Sequence, residues 1–259
     1  MSSLGNAYRA KGDIQKGLKY LQLSLTIRQA IFFGDHPQTA LSLNEVGMAY
    51  QALGGKKNIR QGLQYQEQSL KMRQNLFPGN HRDIAVSLYN IGLAYEKLGG
   101  DENILKGINY QEDALKMQKE LFPNSQHPDV AISLNNMGIA YTELGGEENI
   151  RKGLEYIKQS LESREALSPG NHPEIADLLH DIGATYGDLN GEANNCIRYL
   201  NRSIEMRRGL LNQELLKNNR YVSDIKDLSK VADSLNKMGI AYTELGGEAN
   251  IREGLKYQM

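Results

Sequence analysis

Small and apolar side chains recur along the chain at spacings of three and four residues, which places them on one face of an α-helix. In residues 128–167 they form two sets: Val130, Ala131, Leu134, Met137, Gly138, Tyr141 and Leu144, then Ile150, Gly153, Leu154, Ile157, Ser160 and Leu161. Gly145 and Gly146 lie between the sets, and glycine favours the left-handed conformation in which helices end. This stretch is therefore predicted to form two amphipathic helices joined by a tight turn.

The same pattern occurs six times, each time around a motif of an apolar residue, glycine, two further residues and tyrosine. The motif glycines are Gly5, Gly47, Gly92, Gly138, Gly183 and Gly239, which are 42, 45, 46, 45 and 56 residues apart. Such a period is typical of arrays in which each unit buries its apolar face against its neighbours. We predict an all-α fold, an α-solenoid (right-handed superhelix) of about six helix-turn-helix units. The predicted units of this single solenoid, residues 1–259, are approximately 1–33, 36–78, 82–123, 128–168, 173–218 and 224–259, the first and last incomplete as in a fragment of a longer protein.

Glycine within a helix costs roughly 0.5–1 kcal/mol relative to alanine, so its recurrence in the motif needs a compensating gain. The second helix also has a small residue at one position of each unit: Gly17, Gly62, Gly107, Gly153, Cys196 and Gly254. Seven residues later it is small again, at Ser24, Ser69, Ala114, Ser160 and Ser203. We interpret these positions as the close contact of a tight antiparallel helix pair. Cys196, the only cysteine, is then expected to be buried and unreactive.

Histidines precede the first helix of four units, at His36, His81, His127 and His172. Like positions of stacked units are a whole helix pair apart, much farther than the ~2 Å of a metal–ligand bond, so we expect each histidine to cap the following helix. Glycine pairs such as Gly54-Gly55 are expected to stop helices. The motif tyrosines Tyr50, Tyr95 and Tyr141 are expected to pack between helices with an edge exposed.

The array departs from its own period near the C-terminus. The additional residues between Gly183 and Gly239 lie around 209–230, and we interpret them as a lengthened second helix followed by an irregular connection. The last helix is predicted to begin near Ile251.

These motifs resemble the tetratricopeptide repeat family, whose units combine Leu-Gly-x-x-Tyr with small residues in the second helix and an exit proline. The period here exceeds the usual 34 residues, and leucine takes the place of the large aromatic residue. The longer unit, Asn135-Asn136 before the motif glycine and linkers such as Gly170-Asn171-His172-Pro173 are similar to the kinesin light chain subclass. The resemblance implies a solenoid that binds proteins or peptides, with asparagines three residues before the glycine contacting the peptide.

A groove for such a ligand would be lined mainly by the first helix of each unit. Residues three before, one after and four after each motif glycine share one face of that helix. The predicted peptide-binding residues are Asn44, Met48, Gln51, Tyr89, Leu93, Asn135, Ile139, Thr142, His180, Asn236 and Ile240. They place a polar ladder beside an apolar stripe, and since each hydrogen bond contributes only about 0.5–1.5 kcal/mol, several must act together. Alternatively, the asparagines are solvated or brace neighbouring repeats.

Charge and composition narrow the class of partner. The chain has 30 basic and 31 acidic residues, so no long-range field favours nucleic acid or an anionic membrane surface. No apolar stretch approaches the ~20 residues of a membrane-spanning helix, and the single cysteine suits a reducing cytoplasm. No recognisable catalytic, phosphate-binding or metal-binding motif is present, so we expect neither enzymatic activity nor a cofactor.

The predicted function is that of an adaptor or scaffold, which holds an extended peptide or a partner protein in its concave groove. A second hypothesis makes the array the sensor or regulatory part of a larger signalling enzyme or NTPase receptor, because neither end has the polar cap that a solenoid needs. A third is a structural array, in which the open apolar ends stack chain on chain.

Overall fold

The computed structural model describes residues 1–123, 127–218 and 225–258, and within them the chain forms α-helices and no strand. The helices are α1 (Ser2–Ala10), α2 (Ile14–Ile31), α3 (Pro37–Leu53), α4 (Lys56–Leu76), α5 (Arg82–Leu98), α6 (Asp101–Leu121), α7 (Pro128–Leu144), α8 (Glu147–Leu167), α9 (Pro173–Gly187), α10 (Ala193–Asn218), α11 (Ile225–Glu244) and α12 (Glu248–Gln258). Each odd-numbered helix carries a motif glycine and packs most extensively on the even-numbered helix that follows it. The prediction of an all-α solenoid built from helix-turn-helix pairs is confirmed.

The chain divides into two compact halves, Met1–Pro123 and Asn124–Met259. In the first half α2 packs on α3 and α4 on α5; in the second half α8 packs on α9 and α10 on α11. Each pair therefore buries its apolar face against the next, as expected of repeats. That all six pairs form one continuous domain stays a prediction.

A histidine starts each of the helices α3, α5, α7 and α9. Its Nδ1 atom accepts a hydrogen bond from the main-chain N–H two residues later, at 3.1 to 3.3 Å. The rings of Phe32 and Phe77 stack on His36 and His81, with centroids 3.6 and 3.8 Å apart, and hold these imidazoles in place. The prediction that the histidines cap helices is confirmed.

Paired glycines form the turn inside several of the helix pairs. Gly54 ends α3 with φ 72° and Gly55 precedes α4 with φ 78°, values that glycine adopts without strain. The Nδ2 atom of Asn58, in the first turn of α4, donates to the carbonyl oxygen of Gly54 at 2.8 Å. The same bond is made by Asn103, Asn149 and Asn250 in their turns. The glycines therefore stop one helix, as predicted, and also start the next.

The helices of each pair approach as closely as the glycines suggest. A Cβ atom on Gly138 would lie 2.4 Å from Cγ1 of Ile157 and 2.8 Å from the carbonyl oxygen of Gly153. One on Gly153 would lie 2.6 Å from the carbonyl oxygen of Gly138. Since side-chain atoms do not pack at such distances, only glycine fits at these two positions, and the predicted close contact is confirmed.

A buried serine in the second helix bonds three of the pairs together. The Oγ atom of Ser69 donates to the main-chain oxygen of Ala40 at 2.7 Å. Ser160 makes the same bond to Ala131, and Ser203 makes it to Ala176. Ala114 occupies the serine position in α6 and is fully buried. A small residue at this position therefore allows close packing of the paired helices, and in these three pairs the serine also makes a hydrogen bond.

The helix α10 is longer than the other second helices, and the start of α12 differs from the predicted one. The helix α10 has 26 residues, whereas α4, α6 and α8 have 21 each, so the predicted lengthened second helix is confirmed. The predicted irregular connection falls on residues 219–224, outside the described residues. The helix α12 begins at Glu248, directly after Gly247, and this corrects the predicted start near Ile251. Only Leu245, Gly246 and Gly247 lie between α11 and α12.

Candidate functional site: the helix-one face

The predicted groove residues lie on the first helices of five pairs: α3, α5, α7, α9 and α11. In each half of the chain, we call the surface made by residues three before, one after and four after the motif glycines of these helices the helix-one face. Among the predicted groove residues on it, Met48, Tyr89, Leu93, Asn135, Ile139, Thr142 and His180 are partly exposed, and Asn236 and Ile240 are exposed. The helix-one face therefore presents amide and aliphatic groups in both halves of the chain.

In the first half, two residues of the predicted groove lie below the surface. Asn44 is 5% exposed and Gln51 is 8% exposed. The Oδ1 atom of Asn44 accepts a hydrogen bond from Nδ2 of Asn90 at 3.1 Å, which links α3 to α5. The Nε2 atom of Gln51 donates to Oε1 of Gln66 at 2.7 Å, which links α3 to α4. Asn44 therefore braces a neighbouring repeat, the alternative that the sequence left open for the asparagines, and Gln51 links the two helices of its own pair. Burial keeps both amides from a ligand.

In the second half, His180 is engaged by α11. Its Nδ1 atom lies 2.7 Å from Oγ of Ser234, and its Nε2 atom lies 3.2 Å from Oδ2 of Asp233. Burial lowers the pKa of His180, although the charge of Asp233 opposes this shift. The imidazole therefore links α9 to α11, and these contacts hold it in one position on the helix-one face.

Asn135 borders a cleft of about 160 Å³ between α7, α8 and α9. Its walls include Asn136 of α7, Arg164 of α8 and Glu174 of α9, and Nη1 of Arg164 lies 2.8 Å from Oε2 of Glu174. The Oδ1 atom of Asn135 is buried and accepts no hydrogen bond from any described residue. Such an oxygen costs about 1–3 kcal/mol, so an N–H group placed beside it would be favoured.

The pKa values of Asp177 and Asp181, both in α9, are shifted in opposite directions, and Asp177 lines this cleft. Burial disfavours the charge of Asp177, but hydrogen bonds from Lys230 and Arg207 bring the pKa of Asp177 below its usual value. One turn along, burial and then the charge of Asp177 raise the pKa of Asp181 to about 6. The charge of this part of α9 therefore changes near pH 6.

Sequence reasoning missed a second tyrosine in each pair. The ring of Tyr50 in α3 stacks on that of Tyr65 in α4, with centroids 5.7 Å apart. The other stacked pairs are Tyr8–Tyr20, Tyr95–Tyr110, Tyr141–Tyr156, Tyr186–Tyr199 and Tyr242–Tyr257, with centroids 5.5 to 5.8 Å apart. The signal was present, because a tyrosine stands three residues after the small position of every second helix. The stacking confirms that the motif tyrosines pack between helices. Tyr50 and Tyr95 are partly exposed as predicted, whereas Tyr141 is buried.

Other candidate chemistry is limited in the described part of the chain. Cys196 is 1% exposed, and burial raises the pKa of its thiol to about 11, so its predicted burial is confirmed and its reactive thiolate is disfavoured. Among residues 1–123, 127–218 and 225–258, no group of three or more His, Cys, Asp or Glu side chains is placed to hold a metal ion. Nor does any helix described there combine the length and apolar character needed to cross a bilayer.

The family model for the Tetratricopeptide repeat matches residues 1–58, and no curated protein matches the chain. Solved structures of similar fold include the nearly identical TPR-like repeats of a kinesin light chain from Podosopora anserina. They are 17% identical to this chain, the match covers 82% of this chain and 94% of that one, and the TM-score is 0.67. BtubC (BKLC) from P. vanneervenii is 14% identical, covers 95% of this chain and 91% of its own, and has a TM-score of 0.70.

A third structure of similar fold is a Rap protein complexed with Competence and Sporulation Factor. It is 13% identical, covers 98% of this chain and 72% of its own, and has a TM-score of 0.60. At these identities the likeness is one of fold. Together with the family match, it confirms the resemblance to kinesin-light-chain-like tetratricopeptide repeats that the motifs indicated.

Proposed function

We propose that this tetratricopeptide-repeat chain is an interaction scaffold that binds an extended peptide, or an extended segment of a partner protein, on its helix-one face. The cleft beside Asn135 carries the proposal. The side chain of Asn135 borders open space there, its amide oxygen lies just beneath the surface without a donor, and each residue of an extended peptide offers a main-chain N–H. A ligand that donates to Asn135 would remove the cost of that oxygen.

Aliphatic side chains on the same face supply the apolar part of the proposed contact. Leu93 and Ile139 are partly exposed, and Ile240 is 45% exposed, all at the position after the motif glycine. Burying such surface contributes about 25 cal/mol per Å². Alternate side chains of an extended segment point to the same side, so the proposed ligand has apolar residues at every second position.

The remaining predicted residues divide by what the structure leaves available. Asn44, Gln51 and His180 support the face from below or from its wall, because their polar groups bond to neighbouring helices. We therefore assign ligand contact to the partly or fully exposed predicted residues of the face in each half: Met48, Tyr89 and Leu93 in the first, and Asn135, Ile139, Thr142, Asn236 and Ile240 in the second.

A partner of this class is supported by the fold. The Rap protein whose structure resembles 98% of this chain is complexed with Competence and Sporulation Factor, so an array of such helix pairs is able to hold another molecule. The near balance of 30 basic and 31 acidic residues agrees with a protein or peptide partner.

The proposal is tested by selecting ligands from a phage-displayed library of random dodecapeptides on the full chain and titrating a selected peptide by calorimetry. Asn135→Ala is expected to weaken binding about 2- to 13-fold, the equivalent of one hydrogen bond of about 0.5–1.5 kcal/mol. Ile139→Asp is expected to weaken binding further, because it places a charge in the apolar stripe. Asn201→Ala removes an exposed asparagine of α10 and is the matched control, with parental affinity expected.

Each variant is first compared with the parent in thermal unfolding, so that a loss of binding is separated from a loss of fold. If Asn135→Ala and Ile139→Asp both melt as the parent does and bind the selected peptide with parental affinity, the ligand binds elsewhere and the proposal fails.

A further inference from the structure

A cleft of about 540 Å³ lies between α2 and α4, the second helices of the first two pairs. It is lined by Gln22, Leu25, Thr26, Gln29, Gln61, Gln64, Tyr65 and Gln68. Five of these eight residues are glutamines, and none of the eight carries a charge. Because the helix-one face belongs to the first helices, this cleft, which we call the glutamine cleft, is a separate surface.

The polar residues of the glutamine cleft follow two helix faces. On α2, Gln22 and Gln29 are seven residues apart, and on α4, Gln61 and Gln68 are also seven apart. Seven residues of helix rise about 10 Å, at 1.5 Å per residue. An extended chain advances about 3.3 Å per residue, so the two polar rows match about three residues of an extended ligand.

Part of the cleft is held in place by one tyrosine. The hydroxyl of Tyr50 accepts hydrogen bonds from Nε2 of Gln22 at 2.9 Å and from Nε2 of Gln61 at 3.1 Å. The ring of Tyr50 also stacks on Tyr65, which lines the cleft. Two of the five glutamines are therefore fixed before any ligand arrives, which lowers the entropic cost of binding.

The other three glutamines are available to a ligand. Gln29, Gln64 and Gln68 are exposed, and no hydrogen bond to a described residue engages their side chains. Each amide offers one acceptor and two donors. Three amides therefore match the three N–H and three C=O groups of a three-residue main-chain segment.

At the equivalent junction in the second half of the chain, between α8 and α10, an ion pair links the two helices. There Glu165 of α8 pairs with Arg202 of α10 at 3.3 Å. Counted from the small position of each second helix, Gln29 is the equivalent of Glu165 and Gln68 is the equivalent of Arg202. The α8–α10 junction therefore has an ion pair at the two positions where the glutamine cleft has uncharged amides.

A second contact shows that the two junctions correspond in space. The Nζ atom of Lys158 donates to the hydroxyl of Tyr186, and Nε2 of Gln22 donates to the hydroxyl of Tyr50 from the equivalent position. The comparison is therefore between like places in the fold, and the change from charged to amide side chains is particular to the first junction.

We propose that the glutamine cleft is a second binding site, which holds an uncharged extended peptide segment of about three residues through its main-chain N–H and C=O groups. A charged ligand would lose hydration without finding an opposite charge among the lining residues. Tyr65 offers a sugar at most one ring face for stacking, because its other face stacks on Tyr50. The site differs from the helix-one face in its helices, its charge and its ligand. The two proposals are therefore tested independently.

The test uses the full ¹⁵N-labelled chain and the capped peptide acetyl-Ser-Ala-Ser-Ala-Ser-Ala-amide, followed through the side-chain amide signals of glutamine in NMR spectra. Saturable shifts of the Gln29, Gln64 and Gln68 signals are expected. Maltotriose, added in a parallel titration, is expected to leave them unchanged. No shift with the peptide, or equal shifts with maltotriose, would overturn the proposal.

A double variant, Gln29→Glu with Gln68→Arg, recreates the ion pair of the α8–α10 junction. Both positions are exposed, so parental thermal unfolding is expected, and the dissociation constant of the capped peptide is expected to rise at least tenfold. Gln74→Glu, also exposed on α4 but outside the cleft, is the matched control and is expected to bind as the parent does. Parental affinity in the folded double variant would refute the site. A peptide selected for the helix-one face is expected to bind this variant normally, which separates the two proposals.

Discussion

The Nη1 atom of Arg73 donates to Oγ of Ser87 at 2.8 Å and to the main-chain oxygen of Asp83 at 2.6 Å, so that α4 of one pair is bonded to α5 of the next. Arg73 is 4% exposed, and burial lowers the pKa of its guanidinium, an effect that the charge of Asp83 partly offsets. Arg28 makes the same two kinds of bond to α3, through the carbonyl oxygen of Gln38 and the hydroxyl of Ser42. An arginine, buried at Arg73 and partly exposed at Arg28, is therefore a recurring link between consecutive repeats.

Replacing Arg73 by methionine keeps much of the side-chain stem but removes both donors. Ser87 is fully buried, so its hydroxyl and the carbonyl of Asp83 lose a partner, and we expect the free energy of unfolding to fall by about 1–3 kcal/mol. Urea unfolding followed by circular dichroism measures this change. Arg60→Met, an exposed arginine of the same helix, is the control and is expected to change stability little. Equal effects of the two substitutions would contradict the linking role.

The serine bond between paired helices predicts changes of opposite sign at equivalent positions. Ser69→Ala leaves the carbonyl oxygen of Ala40 without its side-chain donor and is expected to lower stability by about 0.5–1.5 kcal/mol. Ala114→Ser adds the hydroxyl at the same place in α6, opposite Ala85, and is expected to raise stability by a similar amount. Denaturation midpoints of both variants test the pair of expectations, which fail if Ala114→Ser destabilises as much as Ser69→Ala does.

The contact between Gly138 and Gly153 predicts a severe effect of added volume. Gly138→Leu places its first side-chain atom where Ile157 and the carbonyl oxygen of Gly153 already lie, so the helices must separate, at a cost of about 1–3 kcal/mol or more. Ala166→Leu adds three carbon atoms at an exposed position of α8 and is the matched control. Thermal unfolding is the measurement, and a parental melting temperature for Gly138→Leu would show that the contact does not limit side-chain size.

Asp181 predicts a pH dependence of stability with a definite sign. Its pKa is about 6 in the folded chain and 3.8 ordinarily, so between these values the folded state keeps a proton that the unfolded state has lost. Stability from this group is therefore highest below pH 4, falls as the pH rises to 6, and is constant above, at a total cost of up to about 3 kcal/mol. Asp181→Asn removes this cost.

The measurement is the urea midpoint of the parent and of Asp181→Asn between pH 4 and pH 7. The variant is expected to be the more stable protein at pH 7, and the difference is expected to shrink as the pH falls towards 4. A difference that stays constant over this range would mean that the Asp181 carboxyl does not titrate as stated.

The local pattern of the sequence was sufficient for the helices and their ends. Apolar spacing placed the helix pairs, the histidines marked four helix starts, and the glycine pair Gly54-Gly55 marked a turn, because each of these features acts within a few residues of chain. The repeated small residues also indicated the contact between Gly138 and Gly153, since glycine inside a helix has a cost that only close packing offsets.

The tertiary structure decided which polar side chains of the predicted groove are exposed. Asn44 and Asn236 hold equivalent places in the repeat. Asn44 is nevertheless buried and bonded to Asn90, whereas Asn236 is exposed. The glutamine cleft depends in the same way on a neighbour, because Gln22 and Gln61 come from different helices and meet at one tyrosine hydroxyl. Helical periodicity determines the face on which a residue lies, but the packing of the next repeat determines whether that face is covered, bonded or open to a partner.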